Sequence, residues 1–264
     1  MEPNDAEDDG RKRVVASRVE GAVGRIHLDD APHRNALGKD LSDQLAAAVH
    51  GVIEAGATAI VLTAEPPVFC AGGSLQSLLD RDVPLGETYA GYRALIHAPI
   101  PTIAAVAGKA VGAGVNLPLA CDVVIAAESA RFDPCFLDAG IHPGGAHLWR
   151  LAQRVGVQGA AALTIFGDVL TGAEAESHGL AWRCVPDADL EQVALDLAAR
   201  VTRRSPALVR RTKQTLRAAL STATFEEAFA TELEAQQWSV EQPEFAESVR
   251  RIQNGIASRG ASGG

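Results

Sequence analysis

A chain of 264 residues with a 47% hydrophobic share is long enough for one large domain, or a domain with an appendage, and has the composition of a globular protein. Its net charge of −9 gives no electrostatic basis for nucleic-acid binding, and no apolar run reaches the ~20 residues of a membrane-spanning helix. The four cysteines, Cys70, Cys121, Cys135 and Cys184, contain no CxxC pair, which argues against a zinc site or a disulfide framework.

Residues 1–12 are polar and acidic and read as a disordered tail; with no signal peptide in view, the expected location is the cytoplasm. Two β-branched runs, Val14–Val19 and Val23–Leu28, flank Glu20-Gly21-Ala22 and predict an antiparallel hairpin. Apolar residues at Leu41, Leu45, Ala48, Val49 and Val52 recur at helical spacing within Leu37–Ile53. A short strand over Ala59–Thr63 leads to the turn at Pro66-Pro67 and then to Val68-Phe69-Cys70, which runs into Ala71-Gly72-Gly73. Ser74 is placed to cap a short helix over Leu75–Leu79. After a polar loop comes a helix over Thr88–His97, closed by Pro99 and Pro101.

A strand over Thr102–Val106 then leads to Gly112-Ala113-Gly114 and an apolar helix, with a strand over Asp122–Ala127 beyond it. Arg131–Ala139 reads as a short irregular segment, and Ala146–Phe166 as two helices broken at Gly156. Thr171 stands three residues before Glu174, the spacing of a capping box, and Ala181–Val185 is the last predicted strand. Helices follow over Leu190–Arg204, Pro206–Leu220, Phe225–Val240 and Pro243–Ile256, with a flexible tail from Arg259. Strands and helices alternate to about residue 186 and only helices come after, which predicts an α/β or α+β core over 13–205 and a helical region over 206–264.

The two stretches that leave a strand at small residues and enter a helix carry the chemistry. The first N–H groups of a helix lack intrahelical partners and sit at the positive end of its dipole. Each turn alone could be a packing device. Brought together, Ala71-Gly72-Gly73 and Gly112-Ala113-Gly114 would offer two N–H donors to an oxyanion, each worth ~3 kcal/mol in a transition state.

With these two turns in place, the chain resembles the crotonase superfamily, or enoyl-CoA hydratase/isomerase family. The resemblance rests on Arg34-Asn35-Ala36-Leu37, Phe69-Cys70-Ala71-Gly72-Gly73, Gly112-Ala113-Gly114 leading to Cys121-Asp122, Gly140-Ile141-His142-Pro143-Gly144-Gly145, Thr171-Gly172-Ala173-Glu174-Ala175 and Gly179-Leu180. It implies a spiral of ββα units with a C-terminal helical trimerisation region, and so a homotrimer or dimer of trimers. It also implies a CoA thioester as substrate or ligand with no metal or other cofactor. The thioester carbonyl would lie between Gly73 N–H and Ala113 N–H, with Ala71, Gly72 and Gly112 along the ligand path and Arg34 and Leu37 near the CoA entrance.

In hydratases of this family two glutamates move the protons, and the motifs align them with Asn116 and Phe136. Neither can exchange a proton at neutral pH. General acid–base groups contribute roughly 10²–10⁴-fold, so little standard hydration is expected. Asp138 and His142, spaced i,i+4, are the neighbouring titratable candidates; a surface carboxylate and a loop histidine are the alternatives. Two functional readings follow: an enoyl-CoA hydratase/isomerase family protein with atypical or weak activity, and a non-catalytic acyl-CoA carrier or sensor. A serine hydrolase using Ser74 lacks the GxSxG elbow that such a nucleophile needs.

Overall fold

The computed structural model describes residues 12–81, 83–219, 222 and 224–261. The acidic tail expected over 1–12 lies outside them, Lys12 excepted. Strand β1 (Val15–Glu20) pairs antiparallel with β2 (Val23–Leu28) as the hairpin predicts, and α1 (Lys39–Glu54) buries Leu41, Leu45, Ala48, Val49 and Val52 along one face.

From there the chain repeats a strand–strand–helix unit. β3 (Ala59–Ala64) and β4 (Val68–Cys70) lead to α2 (Leu75–Asp80) and α3 (Ala90–His97). Next, β5 (Thr102–Val106) and β6 (Lys109–Val111) lead to α4 (Asn116–Ala120), and β7 (Val123–Ala127) and β8 (Arg131–Asp133) to α5 (His147–Thr164). Then come β9 (Leu170–Thr171), α6 (Gly172–Ser177), β10 (Arg183–Val185) and α7 (Leu190–Thr202). In each of the three units the first strand joins a six-stranded sheet, ordered β1-β2-β3-β5-β7-β10, and the second joins a four-stranded sheet, β4-β6-β8-β9. The chain therefore winds as a spiral, each unit stepping one strand along both sheets.

The central strands are parallel and covered on both faces, which is why they read as unbroken apolar runs rather than alternating ones. In β3, Ile60 and Leu62 face the main core with Leu45 and Val49 of α1, while Ala59 and Val61 face the other way, toward Ala194 and Ala198 of α7. Each fully buried Leu or Ile contributes ~1.5–3 kcal/mol relative to exposure. Cys70 and Cys121 are buried among these residues, and burial pushes the Cys70 thiol up to about 12.

Three strands departed from expectation. β6 is a three-residue strand hidden between two glycine turns, β8 lies inside the segment expected to be irregular, and β9 is a two-residue strand ending at Thr171, the start of the capping box; all three are set by pairing in the small sheet, which leaves no local periodicity to read. At Gly156 the helix α5 is interrupted by non-helical backbone (φ 72°, ψ 171°), the predicted break.

The described chain divides into two units, one ending at Thr202 and one beginning at Arg203. The second consists of α8 (Pro206–Ala219), α9 (Phe225–Val240) and α10 (Pro243–Ala261). Thr224 and Glu227 form a capping box at the start of α9, and Arg211 of α8 pairs with Glu234 at 2.6 Å and lies 5.9 Å from the Trp238 ring centre. The tail expected from Arg259 is helical as far as Ala261; residues 262–264 lie outside the described part.

Candidate active site

β4 and β6 are neighbours in the small sheet, so the turns that leave them are neighbours too. A methyl group on Gly114 would stand 2.2 Å from the Cys70 carbonyl oxygen. Gly72 adopts φ +91°, and a methyl there would stand 2.6 Å from Val111 O and 3.3 Å from Ala113 N. The two turns are pressed together backbone to backbone, at a distance only glycine allows.

A third segment fixes them. Asn35 is 2% exposed, and its side-chain amide donates to Val68 O (3.2 Å) and Phe69 O (3.1 Å). Around it, Ala71 N–H donates to Arg34 O, Leu37 N–H to Gly72 O and Ser74 N–H to Leu37 O. Cys70 Sγ–H donates to Asn35 O at 2.9 Å. The segment 34–37 is thus zipped along 70–74. Among the described residues, neither Gly73 N–H nor Ala113 N–H is taken by a protein acceptor.

Gly73 and Ala113 open onto a cavity of about 340 Å³, which Leu37, Ala71, Gly72, Gly112, Phe136 and His142 also line. Its volume suits a small ligand. The remaining walls include Leu75, Leu78, Leu85, Tyr89, Val111 and Ile141, and no Asp, Glu, Lys or Arg is among the described lining residues. A larger cavity of about 490 Å³ lies over β1–β3, but its Arg18 and Arg25 are already paired with Glu20 and Glu191, and neither glycine turn opens onto it.

Three expected site residues are not in this wall. Arg34 is exposed with left-handed backbone (φ 54°) and contributes its carbonyl to Ala71 rather than a side chain to the cavity. Asp138 is exposed and outside the cavity lining, because 136–140 is a turn rather than a strand that would keep it on the side of Phe136. Asn116 is 1% exposed and sits behind the lining: its Nδ2 donates to Gly144 O at 3.2 Å and its Oδ1 meets His147 Nδ1 at 2.8 Å. Since Nδ2 is spent on a carbonyl, Oδ1 is the acceptor and the proton of His147 sits on Nδ1. The His147 ring is 1% exposed, stacks edge-on against Phe136 at 4.9 Å, and burial pulls its pKa down to about 4. Asn116 is thus an amide tied in behind the wall, and Phe136 an aromatic ring that lines the cavity. His142 lines the cavity but is exposed, with Nδ1 against Pro143 O at 2.8 Å.

The sequence does not mark Tyr89, which lies at a loop-to-helix junction with no motif; Asn35 stands in the Arg34-Asn35-Ala36-Leu37 motif, but its role in tying that segment to Val68 and Phe69 shows only in the fold.

With this geometry established, the enoyl-CoA hydratase/isomerase family profile matches residues 18–253. The Mycobacterium tuberculosis protein named Probable enoyl-CoA hydratase EchA14 is 38% identical over 251 residues, covering 91% of this chain and 97% of the relative. A 2,3-dehydroadipyl-CoA hydratase of Escherichia coli is 35% identical over 214 residues, 77% of this chain and 81% of that protein. Among solved structures, an enoyl-CoA hydratase from a Polaromonas species superposes with a TM-score of 0.84 at 28% identity, covering 91% and 96% of the two chains. A Thermobifida fusca protein crystallised in complex with CoA superposes with a TM-score of 0.78 at 28% identity, covering 89% and 95%. The spiral, the paired glycine turns and these matches agree: the chain belongs to the enoyl-CoA hydratase/isomerase family and has the crotonase fold.

Proposed function

We propose that the protein binds an acyl-CoA thioester and stabilises its enolate, with the thioester oxygen held between Gly73 N–H and Ala113 N–H. The observation that carries this reading is the contact of the two glycine turns, which leaves both donors unspent at the mouth of an apolar cavity. Preorganised backbone donors at a developing oxyanion supply the largest single term in such chemistry. Leu37, Ala71, Gly72, Gly112 and Phe136 form the acyl path in this reading, and no further cofactor is required. The CoA complex of the Thermobifida fusca neighbour supports the ligand class.

Hydration in the family's two-carboxylate manner is not available here, so catalysis is weak or takes an atypical course. One observation favours a second reading, a non-catalytic acyl-CoA carrier or sensor: both polar ends of Asn116 are engaged in holding the wall and Phe136 is apolar. Calorimetry with crotonyl-CoA, butyryl-CoA and free CoA, run beside a spectrophotometric hydration assay, separates them. Preference for thioesters over free CoA with slow turnover supports the first reading; the same preference with no turnover across enoyl-CoA chain lengths supports the second. No preference for the thioesters refutes both. A cytoplasmic homotrimer or dimer of trimers is part of the proposal, and the exposed side chains Val157, Ile165, Phe166 and Trp182 are apolar surface that such an assembly would cover. Light scattering on the purified protein gives its mass.

A further inference from the structure

His147 has one ring nitrogen that nothing among the described residues satisfies. It is the first residue of α5, and it follows Ala146, whose backbone is left-handed (φ 57°). Its Nδ1–H donates to Asn116 Oδ1 at 2.8 Å, so Nε2 is the nitrogen with the free lone pair. Nε2 is buried, and among the described residues no donor reaches it. Asn116 is itself held, with Nδ2 donating to Gly144 O at 3.2 Å. Gly144 has no room to move toward α3: a methyl on it would stand 2.5 Å from the Tyr89 phenol oxygen. One nitrogen of the ring is thus oriented by a fixed amide while the other is bare.

A buried acceptor without a donor is destabilising, and the left-handed alanine before it adds to that, so the histidine stands here against local stability. The pair has the form of a base and its orienter: one partner fixes the tautomer, which leaves the opposite nitrogen open to a proton. Burial pulls the ring's pKa down to about 4, which gives neutral His147 the base strength of an ordinary carboxylate, ~4. At neutral pH it is unprotonated, as a group that removes protons must be. Between it and the cavity stands Phe136, whose ring meets the imidazole edge-on at 4.9 Å and also lines the cavity. The other side of Phe136 is the cavity of about 340 Å³, which gives the ring room to turn. His142, the other imidazole at the cavity, is exposed, and its Nδ1 meets the neighbouring Pro143 carbonyl rather than a side chain.

We infer that His147 is the proton-transfer group of this site and that Phe136 is the screen over it. With the Phe136 ring turned aside, Nε2 takes a proton from C2 of the bound thioester. The C2–H bond breaks, and its electron pair moves onto the thioester oxygen between Gly73 N–H and Ala113 N–H. The imidazolium then returns a proton to C2, and the thioester is regenerated. In heavy water the cycle replaces the C2 hydrogens by deuterium and needs no co-reactant. This rests on the proposed acyl-CoA binding and assigns the base of that same site.

The test follows deuterium uptake at C2 of butyryl-CoA by mass spectrometry, with affinity for the same thioester from calorimetry. Wild type should exchange C2 at a rate that is level at neutral pH and falls toward pH 4 as the imidazole protonates. His147→Gln should lower that rate by about 10²-fold or more, the usual share of a general base, while butyryl-CoA affinity stays within about 2-fold. Asn116→Asp sets a carboxylate beside Nδ1 and should move the midpoint of the pH profile upward by at least about one unit, a shift that a merely structural histidine would not produce. If H147Q fails to fold or to bind, N116D alone decides. Exchange that H147Q retains, a midpoint that N116D leaves in place, or wild type that binds butyryl-CoA without exchanging it overturns the inference alone. Failure of wild type to bind butyryl-CoA overturns the acyl-CoA reading and the inference with it.

Discussion

Gly114→Ala tests whether the two glycine turns are coupled as their contact implies. The added Cβ would lie 2.2 Å from Cys70 O, 2.9 Å from Cys70 C and 3.0 Å from Cys70 Cβ. All three atoms belong to the residue before Ala71-Gly72-Gly73, two of them are backbone, and none can rotate away. To bring the oxygen contact up to 3.0 Å, the closest a Cβ contact comes, the turns must part by at least 0.8 Å. Overpacking of this kind costs ~1–3 kcal/mol. In a domain of about 200 residues that lowers Tm by roughly 2–12 °C. Function should suffer more than stability. A hydrogen-bond donor displaced by that much leaves its acceptor, so the advantage of butyryl-CoA over free CoA should fall by ~2–10-fold. Any enoyl-CoA turnover should fall by ~10²–10³-fold, the usual consequence of losing one oxyanion donor. The assays are a thermal melt, calorimetry with the two ligands and single-substrate kinetics on the same preparation. A G114A protein that melts with wild type and keeps its thioester preference would refute the coupling of the turns.

Other consequences are read in the same way. His147 has a folded pKa of about 4 against an ordinary 6.5, pulled down by burial, so its contribution to stability is present above pH 6.5 and is lost as pH falls toward 4. Relative to H147Q, wild type should lose about 3 kcal/mol of unfolding free energy between pH 7 and 4 in denaturant titrations; a difference independent of pH contradicts the buried, neutral imidazole. Because no charged side chain is among the described lining residues, adipyl-CoA, with its terminal carboxylate, should bind at least ~10-fold more weakly than hexanoyl-CoA, and equal affinities would show that the acyl end escapes the cavity. Asp138→Asn should change thioester affinity by less than about 2-fold, within the spread of ordinary surface substitutions, since Asp138 is exposed and outside the lining; a larger loss would bring it back as a site residue.

Much of this fold could be read from the chain because its signals are local. Helix α1 announces itself by the spacing of Leu41, Leu45, Val49 and Val52, and the hairpin by β-branched runs on either side of a glycine. Strands β6, β8 and β9 could not be read, since two or three residues between turns carry no period and become strands only by lying beside their neighbours. The cavity divides along the same line. Its two glycine turns show in the sequence because close backbone approach demands glycine. Tyr89 does not, because its place depends on Ser42, 47 positions earlier, and on Gly144 and Gly145, more than 50 positions later. Asp138 stands outside the cavity lining for the converse reason: nearness to Phe136 in sequence says nothing about which way a turn points it.

The same logic yields a test of the expectation that Asn116 and Phe136 stand where hydratases of the family hold glutamates. Asn116 fills a slot made for an amide, with a donor facing the Gly144 carbonyl and an acceptor facing His147. Asn116→Glu offers only acceptors, so an ionised side chain in that slot meets a carbonyl oxygen at one end, with His147 as its one partner at the other. Burying a carboxylate with half its bonds unmade costs several kcal/mol unless His147 charges to meet it, and a charged pair in so dry a place gives back little of that cost. The glutamate would lean on the wall instead of the ligand, and Phe136 would still occupy the second position. N116E should therefore lower Tm without raising crotonyl-CoA hydration, and N116E/F136E should do no better while Gly144 O remains without its donor. A gain of ten-fold or more in hydration by the single variant would show that the wall tolerates the charge and that Asn116 is a substituted catalytic position rather than a structural one.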